Sequence, residues 1–319
     1  MTAKTLVGDL GGTNLRLALT DGMALEAEIR FLTAEHEGLE SALDAYLDGL
    51  PAGHRPSSAI LAVAGPVSGD RFTLTNCPWS FSRHAVAERY GWSRFVLLND
   101  FSAVAAGLPY LQKQDLEQIK DGTVLPGAPK LVLGPGTGLG VGVAVPSENG
   151  WTMIEGEGGH VSLPAGNAEE ADLMQRLGNG DVPVSAEEVL SGSGLVALFN
   201  AIAERDGRAD RVGAGADVVA RLTGDACPVA CAVMDRFSSF LAGVAANAAL
   251  TVGARGGVYL TGGVLAHAGA AFREDLFRDR FTANARMADY LAAIPVYRIR
   301  HPEPGLFGLR MLARGVSGA

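Results

Sequence analysis

A glycine-rich turn held between two apolar strands occurs twice in this 319-residue chain. In the first copy Thr5–Val7 reads as a short strand, Gly8-Asp9-Leu10-Gly11-Gly12-Thr13-Asn14 as the turn and Leu15–Leu19 as the returning strand. In the second, Leu131–Leu133, Gly134-Pro135-Gly136-Thr137-Gly138-Leu139-Gly140 and Val141–Val145 repeat the plan, Gly-Thr pair included. An internal repeat on this scale implies two related domains, and the length exceeds what one compact core usually holds. The polar, Gly/Pro-rich stretch Leu111–Pro129 is the expected boundary. The chain should therefore form a small α/β domain over residues 1–110 and a large one over 111–301. Because chain termini often lie close together, the closing helix, residues 302–319, should return to the first domain.

Glycines at such tips let backbone N–H groups approach an anion, as a nest does for phosphate oxygens. Asp9 could hold a phosphate-bound Mg²⁺, an ion that keeps several waters and takes one or two carboxylates. Two familiar phosphate loops are excluded. No Gly-Lys dipeptide occurs, so there is no Walker A loop, and a strand rather than a helix follows the first turn, so it is not a Rossmann fingerprint. A plain hairpin would also use Asp and Gly here.

Between the two hairpins, strands and helices alternate, which implies a mostly parallel or mixed sheet covered on both faces. Ala24–Phe31 and Ser58–Ala64 read as strands, Leu39–Leu50 as an amphipathic helix and Ser82 as the cap of a helix ending at Tyr90. The strand Phe95–Leu98 then runs into Asn99-Asp100 before an apolar-periodic helix from Phe101. In open α/β sheets that turn lies at the carboxyl edge, where ligands bind. Asp100 is accordingly either a general base or the cap of the following helix.

Further on, Glu155-Gly156-Glu157-Gly158-Gly159-His160 sets carboxylates and an imidazole among glycines, a composition suited to direct hydrogen bonding to a ligand. In Ser185-Ala186-Glu187-Glu188, Ser185 and Glu188 form a capping-box pattern, which leaves Glu187 for function. Val258-Tyr259-Leu260-Thr261-Gly262-Gly263 is a strand ending in Gly-Gly, where backbone can approach a flat ligand such as adenine or simply turn into a helix.

A net charge of −9 argues against nucleic-acid or anionic-membrane partners. Phe240–Gly253 is interrupted by Asn247 and too short to span a bilayer, and the N-terminus lacks the apolar run of a signal peptide. A cytoplasmic location is expected. Cys77, Cys227 and Cys231 provide no disulfide framework.

Taken together, these motifs resemble the bacterial ATP-dependent glucokinases of the hexokinase, actin and Hsp70 superfamily. The resemblance runs in order through Gly8–Asn14, Thr75-Asn76 with Trp79, Asn99-Asp100-Phe101, Gly136–Gly140, Glu155–His160, Ser185–Glu187, Leu190–Gly192 and Gly262-Gly263. The first hairpin marks only the superfamily, whereas the Glu-Gly-Glu-Gly-Gly-His and Ser-Ala-Glu motifs narrow it to the glucokinase branch. The resemblance implies an α/β, two-domain ribonuclease-H-like (actin-like ATPase) fold with an interdomain active-site cleft. It implies transfer of a phosphoryl group from ATP, with Mg²⁺, to the 6-hydroxyl of glucose. By the same resemblance Asn99, Asp100, Glu157, His160 and Glu187 bind the sugar, and Asp100 is the catalytic base. Gly8, Asp9, Leu10, Gly11, Gly12 and Thr13 would hold the ATP phosphates on one side, Gly136, Thr137 and Gly138 on the other, and Gly262 and Gly263 would meet adenosine.

The related repressor/open-reading-frame/kinase group follows its histidine with a compact, zinc-binding Cys cluster. Here no Cys follows His160 before Cys227, so no structural zinc is expected. A homodimer is a family expectation. Two alternatives stay open: a kinase for another hexose, and a non-catalytic sugar sensor.

Overall fold

The computed structural model describes residues 4–74, 77–178, 180–222 and 227–314. Thr75 and Asn76, part of one quoted motif, lie outside the described residues, as do residues 315–319 of the expected closing segment. The chain divides into two compact units: Met1–Leu111 with Trp151–Glu155 and His301–Ala319, and Gln112–Gly150 with Gly156–Arg300. The assignment of Trp151–Glu155 to the first unit has no counterpart in the sequence-based boundaries.

The sheet of the first unit runs in the order Leu25–Leu32, Asn14–Thr20, Thr5–Leu10, Ser58–Val63, Arg94–Asn99. The first three strands are antiparallel neighbours and the last three parallel ones. Side chains alternate between faces, as the pleat requires. Leu6, Leu10, Leu15, Leu17, Leu61 and Val63 join one core, with the Leu39–Asp48 helix. Val7, Ala18, Ile60, Ala62 and Leu98 join another, with Leu306, Leu309 and Ala313 of the closing helix Pro304–Arg314.

Register places three strand ends level. Leu10 pairs with Val63, and Val63 with Asn99. The Gly11–Thr13 tip and the Asn99-Asp100 turn therefore leave the same carboxyl edge of one sheet, two strand spacings or roughly 10 Å apart.

In the second unit the order is Leu139–Ser147, Lys130–Pro135, Val258–Leu260, Val296–Ile299, Leu116–Lys120. The first and last pairs are antiparallel and the central ones parallel. Leu116–Lys120 falls inside the stretch expected to be a polar boundary; only Ile119 and Lys120 of its five residues are buried, too short an apolar signal to stand out. Behind the sheet lies the 25-residue helix Pro228–Val252, whose Phe237, Phe240, Leu241 and Val244 are buried in the larger core. It is long and apolar enough by composition to cross a bilayer, but most of its apolar stretch is covered by the unit's own side chains.

Candidate active site

In the first unit the strand Thr5–Leu10 continues through Gly8 and Asp9, so the turn is shorter than the glycine pattern suggests. Gly8 pairs with Leu17 on one side and Leu61 on the other. A Cβ there would stand 2.6 Å from Leu17 and 2.7 Å from Leu61. Packing alone thus calls for glycine here, so the phosphate contact expected of Gly8 is not needed to explain the residue. Leu10 is likewise a core side chain, and its carbonyl accepts from Ala64 N–H at 3.2 Å. What remains for an anion is the tip Gly11-Gly12-Thr13. Gly11 N–H donates to the Asn14 carbonyl at 2.9 Å, and Thr33 fastens the carbonyls of Gly12 and Thr13 at 2.8 and 3.0 Å. The tip is a held loop with an exposed threonine.

Asp9 lies on the sheet face covered by the closing helix, with a Cβ built on Gly305 coming 3.9 Å from its carboxylate. Burial pushes its carboxyl above the usual value of 3.8; Arg16, its cross-strand partner, pulls it down and Glu303 pushes it further up. Arg16 itself pairs with Glu303. A half-buried carboxylate with a raised pKa is a site whose electrostatic cost a divalent cation would relieve. Asp9 therefore fits one carboxylate of a hydrated Mg²⁺ site. Among the described residues no group of three or more His, Cys, Asp and Glu side chains is arranged to hold a metal unaided.

Asn99 settles which residue caps the helix. It is the N-cap of Asp100–Gly107: its Oδ1 accepts from Phe101 N–H at 2.9 Å and Ser102 N–H at 3.4 Å. Its Nδ2 donates to the Gly65 carbonyl at 3.3 Å. The expected sugar contact of Asn99 is thus limited to the second hydrogen on Nδ2, since the rest of the amide is committed to the fold. Asp100 is the first helical residue, half-buried, with Oδ1 accepting from Phe101 N–H at 2.9 Å. Trp79 is a core residue, its indole N–H donating to the His36 carbonyl at 3.2 Å.

The second unit gathers the other expected residues around Leu139. Glu157 precedes the short 3-10 turn Gly158–His160. A Cβ on Gly159 would overlap the Leu139 carbonyl, and one on Gly158 would stand 2.9 Å from Val141 Cβ. Glycine at both positions lets this turn lie flat on the strand Leu139–Ser147. His160 Nε2 is 3.9 Å from Glu157, and its Nδ1 is 3.9 Å from Glu187 Oε1. Glu187 Oε2 accepts from Leu139 N–H at 2.8 Å. Glu188 closes a capping box with Ser185 at 2.7 and 3.3 Å, and the Ser185 N–H and hydroxyl hold its carboxyl below the usual range.

The Gly136-Thr137-Gly138 tip is held from the same segment. Gly136 carbonyl accepts from Gly192 N–H at 2.8 Å, while Gly136 N–H donates to the Gly138 carbonyl at 2.8 Å. Thr137 is exposed and nothing approaches a Cβ on Gly136. Arg16 and Thr33 were missed as site-building groups, and Gly192 and Leu139 were quoted in motifs without a role, because their contribution is a backbone bond or a cross-strand pair that spacing does not encode.

Gly262 has φ +102°, and a Cβ would overlap the Pro135 carbonyl. Its glycine is demanded by the neighbouring strand, so the adenosine contact expected of it is not needed to explain the residue. Gly263 is exposed and opens the helix Gly263–Ala268, and a Cβ there would meet only His267 Nδ1 at 4.0 Å. Because Leu260 pairs with Leu133, this turn and the Gly136–Gly138 tip leave the same sheet edge on adjacent strands.

Comparison with known proteins follows the same lines. The family model described as Glucokinase matches residues 6–316. The chain is 41% identical over 313 residues to a glucokinase of Paramagnetospirillum magneticum, covering 97% of each protein. It is 41% identical, again over 313 residues, to one of Nitrobacter hamburgensis, covering 98% of each. Among solved structures, a glucokinase from an Antarctic psychrotroph superposes with a TM-score of 0.88 at 31% identity, covering 99% of both chains. The architecture is the α/β two-domain, ribonuclease-H-like fold of the actin-like ATPases.

Proposed function

The chain belongs to the glucokinase family and phosphorylates glucose with ATP, and we propose that Asp100 is the base that makes the 6-hydroxyl of the sugar its acceptor. Asp100 accepts the hydroxyl proton as that oxygen attacks the γ-phosphorus; the bond to the β,γ-bridging oxygen breaks and ADP leaves with the electron pair. A positioned base contributes on the order of 10²–10⁴-fold. Phosphoryl transfer depends mainly on positioning and on neutralising charge, and this falls to the two glycine tips. Gly11, Gly12 and Thr13 in one unit, and Gly136, Thr137 and Gly138 in the other, receive ATP phosphates. Asp9 would hold the Mg²⁺ that accompanies them, and that ion would supply charge offsetting the phosphates. Glu157, His160 and Glu187 accept and donate hydrogen bonds to sugar hydroxyls. Gly263 lies against the adenosine. A homodimer and a cytoplasmic location complete the proposal.

The observation that carries it is the register that sets the Gly11–Thr13 tip and Asp100 at one sheet edge, with Asn99 and not Asp100 capping the helix. Asn99 holds the N-cap position and takes both Phe101 and Ser102 N–H, while Asp100 Oδ1 shares the Phe101 N–H, so the cap does not depend on the carboxylate at the first helical position. The test is 6-deoxyglucose beside a panel of hexose epimers, with ADP detected enzymatically. The 6-deoxy sugar should compete with glucose and yield no ADP above background. ADP release at the rate seen with glucose would move the acceptor to another hydroxyl or to water.

A further inference from the structure

One carboxylate in the second unit is placed to serve two subsites. Glu187 follows the Ser185 cap by two residues, on the four-residue helix Ala186–Val189. Its Oε2 holds Leu139 N–H at 2.8 Å, at the very start of the strand that leaves the Gly136–Gly138 tip. Its Oε1 faces His160 Nδ1 at 3.9 Å, too long for a hydrogen bond and wide enough for a ligand hydroxyl to approach both. A Cβ on Gly138 would overlap the same carboxylate, so glycine there is what lets Glu187 reach the tip. The other end of the tip is pinned from the same segment, by Gly192 N–H to the Gly136 carbonyl.

We propose that Glu187 couples sugar binding to the phosphate tip: the oxygen that takes the sugar hydroxyl and the oxygen that positions Leu139 belong to one rigid group, so filling the sugar subsite fixes Gly136–Gly138. The coupling rests on the functional assignment of Glu157, His160 and Glu187 to sugar hydroxyls. An ionised carboxylate can accept on both oxygens at once. When the sugar orients it, the Leu139 N–H and hence the tip are held in the geometry that receives phosphate. By linkage, glucose must then tighten nucleotide, and nucleotide must tighten glucose by the same factor. Glu187 is in this respect a positioning residue for the nucleotide as well as a sugar ligand.

The variants Glu187→Gln and Glu187→Ala separate the two tasks. The amide keeps one accepting oxygen, which can stay on Leu139 N–H while NH₂ turns to the sugar. Alanine removes both contacts. Calorimetry of the full-length protein with glucose, with a non-hydrolysable ATP analogue and Mg²⁺, and with each in the presence of the other gives four affinities per variant. In the parent chain, glucose should tighten the analogue roughly 5-fold or more, the range usual for coupled sites. Glu187→Gln should weaken glucose while keeping part of that coupling. Glu187→Ala should weaken glucose more, and the coupling factor should fall to about 1, the value for independent sites. Hydrogen exchange at Leu139 N–H should remain slow in the glutamine variant and become fast in the alanine variant.

If glucose affinity falls in both variants while coupling and Leu139 exchange stay as in the parent, the coupling is refuted and the sugar role stands. If glucose affinity is unchanged in both variants, the sugar role itself is wrong. Circular dichroism and a thermal melt on each variant establish that the comparison is between folded proteins; were the alanine variant unfolded, a reduced coupling factor in the glutamine variant would support the proposal and a coupling factor equal to the parent's would overturn it.

Discussion

The Cα of Gly308 packs against the carbonyl of Ala103, so close that a Cβ at position 308 would overlap the oxygen. On the facing side a Cβ at Gly107 would stand 2.9 Å from Phe307 and 3.3 Å from the Gly308 Cα. The closing helix Pro304–Arg314 therefore lies directly on the helix that begins with Asp100. Backbone against backbone leaves nothing flexible to yield. Gly308→Ala should destabilise the protein by at least about 1–3 kcal/mol, the usual cost of overpacking. Urea unfolding at 25 °C measures this. A neutral result would mean that the two helices can part without loss.

Asn99 and Asp100 should respond to mutation in opposite ways. Asn99→Ala removes an N-cap, and should cost about 0.5–2 kcal/mol of stability. Asn99→Asp keeps an accepting oxygen on Phe101 and Ser102 while losing the donor to Gly65, so it should recover part of that loss. Thermal melts of both variants beside the parent decide it, and an alanine variant as stable as the parent would contradict the cap.

Asp9 should trade stability for function. Its folded pKa is raised above the ordinary 3.8, chiefly by burial, with Arg16 opposing and Glu303 adding. For a carboxyl shifted upward, the folded state binds the proton more tightly than the unfolded state, so stability falls as pH rises from 3.8 through the folded pKa. Above that window the ionised carboxylate is a standing cost. Asp9→Asn should therefore melt higher than the parent at neutral pH, with the difference shrinking as the pH approaches 3.8, and should bind the nucleotide with Mg²⁺ more weakly. A lower melting temperature at neutral pH would show that Arg16 outweighs the burial.

Much of the first unit was legible because its signals are local. Ser58–Val63 is buried throughout and reads as an unbroken apolar run, and Ser82 sits before its helix with the side chain accepting from Ala85 N–H. The Ser185–Glu188 capping box was equally plain. The roles of glycines were less legible. Gly8, Gly159, Gly262 and Gly308 are glycines because another strand or helix passes close by, and the sequence does not reveal what lies across from them. Gly136 and Gly263, where a Cβ would find room, are indistinguishable from these in the sequence. The same holds for Asn99, whose neighbour Asp100 was an equally good cap on residue type alone. Only the hydrogen bonds of the folded turn separate them.

Gly138 offers a route to the sugar subsite that alters no sugar-facing group. A methyl there would displace the Glu187 carboxylate, which is the end of a flexible side chain and can move. Gly138→Ala should accordingly fold normally and raise KM for glucose roughly 10-fold or more, the worth of one charge-assisted hydrogen bond. Steady-state kinetics with glucose varied at saturating ATP tests this. An unchanged KM would mean that Glu187 has no part in holding the sugar.

Asp100 carries the chemistry in this scheme, and Asp100→Asn is the direct test because it keeps the size of the side chain and an oxygen for Phe101 N–H while removing the proton acceptor. An interaction made only in the transition state lowers kcat when it is lost, whereas uniform binding raises KM alone. The kcat of Asp100→Asn for glucose phosphorylation should fall by roughly 10²-fold or more, with calorimetry still showing glucose bound. Turnover within a few-fold of the parent chain, with the variant folded and glucose bound, would contradict the assignment and place the base elsewhere.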